Sequence, residues 1–185
     1  MKTVTVEITG TTPLLQHRFG EAAEQGKSTR RMLVQNELPR DAAERAAYRA
    51  PDGTLYLPGA AISRLLREAG GNHKQVGSRK SLKYIIPAAV LVPADTITLH
   101  NGKPLTDYEV DSRPVTIPAT KGRIMRHRPR LDEWQATFLL EIDEAILPVE
   151  IIHQLLTEGG TGLGLGDFRP EKGGPFGRFR VTHWE

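Results

Sequence analysis

Hydrophobic residues follow two different periods along this chain, and each period predicts its own kind of element. Residues 3–9 alternate, with Val4, Val6 and Ile8 on one face, which is typical of a strand with one buried side. Apolar residues at helical spacing occupy 58–69, between a proline at the start and a glycine pair at the end, and predict an amphipathic helix.

The second half of the chain continues this pattern. The apolar run at 84–92 predicts a buried strand despite Pro87, and residues 134–142 predict another strand. Residues 148–158 predict a helix with one buried side, and the alternation at 176–182 predicts a final strand. We therefore expect one α+β domain over residues 1–185. Its order of strand, helix, strand, strand, helix, strand is that of a ferredoxin-like (RRM-like) βαββαβ sandwich, with insertions at about 11–53 and 94–132.

Composition narrows the class of protein. The chain has 185 residues, a net charge of +3 and no cysteine, which excludes disulfides and thiolate zinc sites. Its first ten residues lack the apolar stretch of a signal peptide, and no window reaches the roughly 20 apolar residues of a membrane span. We expect a cytoplasmic protein with no membrane partner.

The charge is concentrated in one run, residues 121–130, where no acidic residue occurs until Asp132. Cations without interspersed carboxylates favour a polyanionic ligand over a merely solvated loop. The run also holds Met125, which can wedge against bases or pin a hairpin to the core; the sequence leaves both roles open. The residues predicted to contact nucleic acid here are Lys121, Arg123, Met125, Arg126, His127, Arg128 and Arg130.

Eight glycines fall between Gly159 and Gly177. They follow a predicted helix and precede a strand, which is the reverse of a dinucleotide-binding loop or a P-loop. One of Gly159 and Gly160 is expected to end the helix. The others predict a loop whose exposed amides and cations follow a phosphate backbone. The contacts predicted in this segment are Gly164, Gly166, Arg169, Lys172, Gly173, Gly174 and Arg178.

Further cationic positions lie outside these two segments. His17 follows the first strand, and we expect it to contact nucleic acid together with Arg18, Arg30, Arg31, Arg79 and Lys80. Neither the histidines nor the carboxylates have a metal-binding spacing, so no metal and no cofactor is expected. The alternative role for His17 or His127 is that of general base in metal-independent RNA cleavage.

Two motifs resemble a known family. The segment LYLPGAAISRLLREA and the glycine-rich GLGLGDFRPEKGGPFGRFRV are similar to segments of the repeat-associated mysterious proteins (RAMPs) of CRISPR systems, including small RAMP-like proteins encoded by phages. The resemblance implies a ferredoxin-like core and a thumb hairpin within the 94–132 insertion. It also implies groove binding of single-stranded guide RNA, oligomerisation along the strand, and room for other protein subunits.

From these observations we expect a non-catalytic binder of single-stranded nucleic acid that assembles as a homo-oligomer or filament along the strand. RNA is favoured, and single-stranded DNA is the alternative partner. The alternative function is a RAMP-type metal-independent endoribonuclease.

Overall fold

A computed structural model describes residues 1–18, 37–116 and 121–185. Within these residues the chain is α+β, as predicted, with nine strands and four α-helices. The strands are β1 Lys2–Gly10, β2 Leu14–Leu15, β3 Tyr56–Pro58, β4 Val90–Leu91, β5 Thr96–His100, β6 Glu109–Thr116, β7 Arg123–Leu131, β8 Gln135–Ile142 and β9 Phe179–Trp184. The helices are α1 Pro39–Ala46, α2 Gly59–Ala69, α3 Ile86–Ala89 and α4 Val149–Gly162.

The central sheet is antiparallel, with strand order β3-β5-β8-β1-β9, and β4 also pairs with β8. Strand β1 pairs with β8 from Lys2 opposite Ile142 to Thr9 opposite Gln135. The sheet therefore has two ends. The upper end lies at Gly10, where Trp134 accepts a backbone hydrogen bond, and the lower end lies at Lys2.

One face of this sheet is covered by helices α2 and α4. The β1 side chains predicted to point inward, Val4, Val6 and Ile8, are buried, and so are the apolar residues of both helices. The two helices pack closely, because Gly159 of α4 has no side chain and Leu65 of α2 occupies that space. The predicted strands at the first, third and fourth core positions and both long helices are therefore confirmed, with ends shifted by a few residues.

The predicted strand at residues 84–92 is wrong. These residues form the end of a 3₁₀ turn, then the short helix α3, and only then the two-residue strand β4. Pro87 lies in the first turn of α3, where a missing N–H costs nothing. The strand that completes this side of the sheet, β5, lies inside the region predicted to be a long connection.

The predicted helix end at Gly159 or Gly160 is also wrong, because α4 continues to Gly162. Both glycines instead allow close packing: a Cβ on Gly160 would lie 2.6 Å from the carbonyl oxygen of Phe179. Gly164, with φ of +72°, lies just beyond the helix, and its amide donates to the Gly159 carbonyl. The left-handed residue that closes the helix is therefore four or five positions later than predicted.

A second, three-stranded sheet has the order β2-β7-β6, and its strands β6 and β7 form a long hairpin. Helix α1 packs against this hairpin, and Tyr108 at its base anchors the helix. The Tyr108 hydroxyl donates to Glu44, which also accepts from Arg49 at 2.5 Å. Burial and the bond to Glu44 raise the pKa of Tyr108 to about 12. The hairpin is thus attached to the body at its base.

Part of the first predicted insertion, with Arg30 and Arg31, lies outside the described residues. In the remainder of the chain, no helix is long and apolar enough to cross a membrane.

Candidate nucleic-acid interface

The basic run of residues 121–130 is largely strand β7, and the strand divides it between two faces. Adjacent side chains of a strand point to opposite sides, so residues at even and odd positions separate. Arg126 and Arg128 lie on the side that faces His17 and the glycine-rich segment. The opposite face carries Met125, which is exposed, and His127, whose Nδ1 lies 2.7 Å from the Ser112 hydroxyl. The predicted cluster is therefore two smaller clusters.

Arg128 is buried, with 3% of its side chain exposed. Its Nη1 donates to Asp167 at 2.7 Å, and its Nη2 lies 3.5 Å from Asp111. Asp111 also accepts from Nε of Arg113 at 2.8 Å. We call these four residues the clamp, because they join the hairpin to the glycine-rich segment. The predicted surface contact at Arg128 needs correction, since its guanidinium is enclosed by protein.

Aromatic rings complete the clamp. The guanidinium of Arg113 lies 4.7 Å from the ring centroid of Phe176 and 5.6 Å from that of Phe168. The guanidinium of Arg128 lies 6.0 Å from the Phe168 ring. Such cation–π contacts are stronger where the cation is removed from water. These two phenylalanines therefore stack against arginines of the protein itself.

The clamp also controls the charge of Asp167. Burial alone would raise the pKa of this carboxyl. The hydrogen bond and positive charge of Arg128 lower it by more than burial raises it, so the pKa lies below its usual range. Asp167 is consequently ionised under ordinary conditions. Nε and Nη2 of Arg128 are buried and make no hydrogen bond within the described residues, although Nη2 lies at ion-pair distance from Asp111.

The glycine-rich segment is a tight loop whose amides mostly bond within the protein. The amide of Gly164 donates to Gly159, that of Gly173 to Pro170, and that of Gly174 to Arg169. The predicted exposed amides are therefore wrong at these three glycines. Gly166 lies against β2, because a Cβ there would be 2.3 Å from the Leu15 carbonyl oxygen.

His17 lies beside the clamp, with its Nε2 at 3.3 Å from Nη1 of Arg126. Arginine has no acceptor, so His17 Nε2 must accept, and the proton of the neutral ring is on Nδ1. That Nδ1 is buried and has no hydrogen-bond partner in the described part of the chain. Burial and the charge of Arg126 lower the pKa of His17. The ring is neutral at physiological pH, and its available lone pair is occupied by Arg126.

A half-enclosed cleft of about 220 Å³ opens next to His17, between the start of α2 and the glycine-rich loop. Two arginines line it, and they share one carboxylate: Nη2 of Arg64 is 2.7 Å and Nε of Arg169 is 2.9 Å from Glu171. Burial raises the pKa of Glu171, but these arginines lower it to below its usual value. The predicted contact residue Arg169 thus has an internal partner.

Several predicted cations lack a carboxylate partner among the described residues. Arg130, by contrast, pairs with Asp132 at 2.6 Å, so the predicted continuous line of cations is interrupted by carboxylates. The unpaired side chains lie near the tip and inner face of the hairpin and on the adjoining loops: Arg18, Lys121, Arg123, Arg126, Lys172 and Arg178.

Arg79 and Lys80 are not brought to this surface, because they follow the far end of α2, at the lower end of the sheet. Within the described ranges, no group of three or more histidines or carboxylates is placed to hold a metal ion.

The residues that sequence reasoning missed are the acids and Arg113 of the clamp. The sequence does indicate the pair of Asp111 and Arg113. In the segment VDSRP they are two positions apart and therefore share a face of the strand. Asp167 carries no such signal, since it is 39 positions from Arg128.

Comparisons with known proteins show similarity at the level of structure. No protein-family model matches this chain, and no curated protein matches its sequence. The chain is similar to a subunit in the cryo-EM structure of the Type III-B Cmr-beta complex bound to cognate target RNA, with 14% identity and a TM-score of 0.54. The match covers 99% of this chain and 59% of that subunit.

Two further solved structures are similar over most of their length. Cmr6 from Pyrococcus furiosus is 13% identical, with a TM-score of 0.46, and the match covers 97% of each chain. A chain of the Type IV-B CRISPR complex is 14% identical, with a TM-score of 0.48, and the match covers 98% of this chain and 90% of that one. At 14% identity the Cmr-beta likeness shows a shared fold, which agrees with the resemblance predicted from the sequence motifs.

Proposed function

We propose that this chain binds single-stranded nucleic acid, with RNA favoured, along the inner face and tip of the β6–β7 hairpin and the adjoining glycine-rich loop. The observation that carries the proposal is that the two most basic segments of the sequence meet in space. The contact of Arg128 with Asp167 joins them. Three cations of these segments, Arg123, Arg126 and Lys172, have no carboxylate partner among the described residues.

The fold supports the same proposal. We propose a ferredoxin-like topology in a single domain over residues 1–185, which the strand order and the packing of α2 and α4 on one face support. We take the β6–β7 hairpin, which lies between β5 and β8 along the chain, as the expected thumb. The solved Cmr-beta structure holds a target RNA, and we extend RNA as a ligand to this chain. Assembly of several copies along one strand, or with other protein subunits, belongs to this proposal.

The open face of the central sheet is a poor alternative surface. RNA-binding sheets of the RRM type stack bases on aromatic side chains. Here the outward positions of β1 and β8 carry no aromatic residue and include two carboxylates: Thr3, Thr5, Glu7, Thr9, Gln135, Thr137, Leu139 and Glu141. We therefore place the nucleic acid on the hairpin side.

The bound strand is held mainly through its phosphates. Arginine and lysine contacts to phosphate carry no base information, so we expect weak sequence preference. Each neutralised phosphate of a single strand contributes about −0.7 to the slope of log K against log salt concentration. Binding should therefore weaken steeply as salt is added.

RNA cleavage is a less suitable function for this site. A general base needs a free lone pair within reach of the attacking hydroxyl. The available lone pair of His17 accepts from Arg126, and His127 lies on the opposite face of β7. Neither histidine is thus a free general base: the lone pair of His17 is taken by Arg126, and Nδ1 of His127 is hydrogen-bonded to Ser112. We propose binding without catalysis.

The proposal is tested by replacing two unpaired cations. For Arg123→Ala with Arg126→Ala we expect roughly tenfold weaker binding, because two charge-assisted phosphate contacts are lost. The salt slope should fall by about 1.4, that is, by two phosphates. Fluorescence anisotropy with labelled oligouridine and an unrelated RNA should show the same loss for both.

Lys2→Ala provides the control, because Lys2 is an exposed cation at the lower end of β1, the end opposite Gly10. It should leave both affinity and slope unchanged. Equal affinity for the double variant and the unaltered chain would refute the proposed surface.

A further inference from the structure

The lower end of the molecule, remote from the hairpin, carries two charged surfaces of opposite sign. Nine residues of β1 separate this end from the upper one, a distance of roughly 26 Å at about 3.3 Å per residue. The turn after β8 and the segment after α2 both lie there. Neither takes part in the proposed nucleic-acid surface.

The segment after α2, residues 73–81, is an ordered basic loop. A bridge between Lys74 and Ser81 closes it, and the Gln75 amide donates to the Lys80 carbonyl at 3.0 Å. Val76, near its tip, is 100% exposed. Three cations of this loop have no carboxylate within 4 Å among the described residues: Lys74, Arg79 and Lys80. We call residues 73–81 the basic loop.

The second surface is acidic. Four carboxylates lie between the end of β8 and the start of α4, and in the described structure none of them forms an ion pair: Glu141, Asp143, Glu144 and Glu150. Two apolar side chains, Leu91 and Ile146, are exposed beside them. We call this set of residues the acidic patch.

The two surfaces are neighbours in the fold. The 3₁₀ turn Leu82–Tyr84 follows the basic loop directly, and Ala89, a few residues later, accepts a hydrogen bond from the Asp143 amide at 2.8 Å. Tyr84, between them, is 79% exposed. Within one molecule the charges of the two surfaces nevertheless do not meet, since no ion pair joins them in the described residues.

We infer that the lower end is a self-association surface, on which the basic loop of one copy contacts the acidic patch of a second copy and the reverse. Both halves of the contact lie on the same end, which is the requirement for a two-fold interface in which each surface meets its complement. Exposed apolar side chains among unpaired charges fit a protein interface better than a purely solvated surface. The hairpins of the two copies then lie at opposite ends of the dimer, so this contact is separate from the proposed assembly of copies along one strand.

A second copy fits this end better than nucleic acid does. A phosphate backbone at this end of the molecule would be repelled by the four unpaired carboxylates of the acidic patch. The acidic patch has the opposite effect on a partner copy, because it attracts that copy's basic loop. This assignment replaces the predicted nucleic-acid contacts at Arg79 and Lys80, and it does not depend on the proposed function.

Sedimentation equilibrium of the full chain, freed of nucleic acid by nuclease and checked by absorbance, tests the inference. We expect a dimer at roughly 100 µM protein in low salt, with dissociation as salt screens the charge pairs. Arg79→Glu with Lys80→Glu should raise the dimer dissociation constant at least tenfold, and Glu141→Lys with Glu144→Lys should do the same.

Mixing the two charge-reversed variants distinguishes this surface from any other. In the mixed pair the reversed loop faces the reversed patch, and the unaltered loop faces the unaltered patch, so we expect heterodimers where neither variant dimerises alone. A monomeric unaltered chain at this concentration would overturn the inference, and so would dimers insensitive to both reversals. Weaker RNA binding by the loop variant with unchanged dimerisation would assign the basic loop to nucleic acid instead.

Discussion

Replacing Arg128 with methionine lowers the free energy of unfolding by about 3–5 kcal/mol, the range found when one partner of a buried ion pair is removed. In the variant, Asp111 and Asp167 lose the cation that they share. Because only 3% of the Arg128 side chain is exposed, water cannot replace it. Urea denaturation followed by circular dichroism measures the loss. A loss below about 1 kcal/mol would show that the clamp is not a buried pair.

The matched control is Arg130→Met, two positions along the same strand. Arg130 pairs with Asp132 at a partly exposed site, so its replacement should cost no more than about 1 kcal/mol. The two variants also differ in acid. Because the pKa of Asp167 is lowered in the folded protein, the clamp contributes stability above the usual aspartate pKa, and this stability is lost as pH falls through the lower folded value. The Arg128 variant should therefore lose this part of the acid dependence.

Replacing Gly177 with alanine should lower stability by about 2–5 kcal/mol, from two separate causes. Its φ of +73° is left-handed, which costs a residue with a Cβ about 1–2 kcal/mol. The Cβ would also lie 1.8 Å from the Leu165 carbonyl oxygen, and relieving such overlap costs about 1–3 kcal/mol. Thermal and urea unfolding of the purified variant measure the sum.

Gly173→Ala separates these causes within the same loop. Gly173 has a similar φ of +77°, but nothing lies within 4 Å of its Cβ position. This variant should lose only about 1–2 kcal/mol, from the backbone alone. Equal losses at the two positions would contradict the close approach at Gly177.

The elements predictable from sequence were those whose own residues determine them. Strand β1 and helix α2 carry an apolar period that only one element satisfies, and both are confirmed. The segment around Pro87 is apolar throughout, so it has no period to separate strand from helix, and the proline placed it in the first turn of α3. Gly159 and Gly160 look like helix ends in sequence, but the packing partners Leu65 and Phe179 are distant in the chain.

The candidate site was predictable in location but not in detail. The two basic segments that the sequence singled out do lie in one region, because Arg128 of the first contacts Asp167, two residues before the second. Which of them are free depends on carboxylates that the fold supplies from elsewhere. Arg128 pairs with Asp111 on the other strand of the hairpin and with Asp167 on a loop 39 residues away. The sequence of the basic run does not show that either carboxylate lies close to Arg128.

These pairings also explain how the free cations are positioned. The clamp fixes the hairpin against the glycine-rich loop. Arg126 lies two residues before Arg128 on β7, so the two side chains are on the same face of the strand. Side chains held by a rigid scaffold lose less entropy when they bind phosphate. The buried arginine is thus a positioning residue for the exposed ones.

Photocrosslinking to an RNA that contains 4-thiouridine, followed by mass spectrometry of the crosslinked peptides, tests the central claim most directly. The account predicts crosslinks in peptides from residues 121–131 and 163–178, and their loss in the Arg123→Ala, Arg126→Ala variant. Crosslinks confined to the open face of the sheet, in β1 and β8, or to the basic loop at the lower end would contradict it.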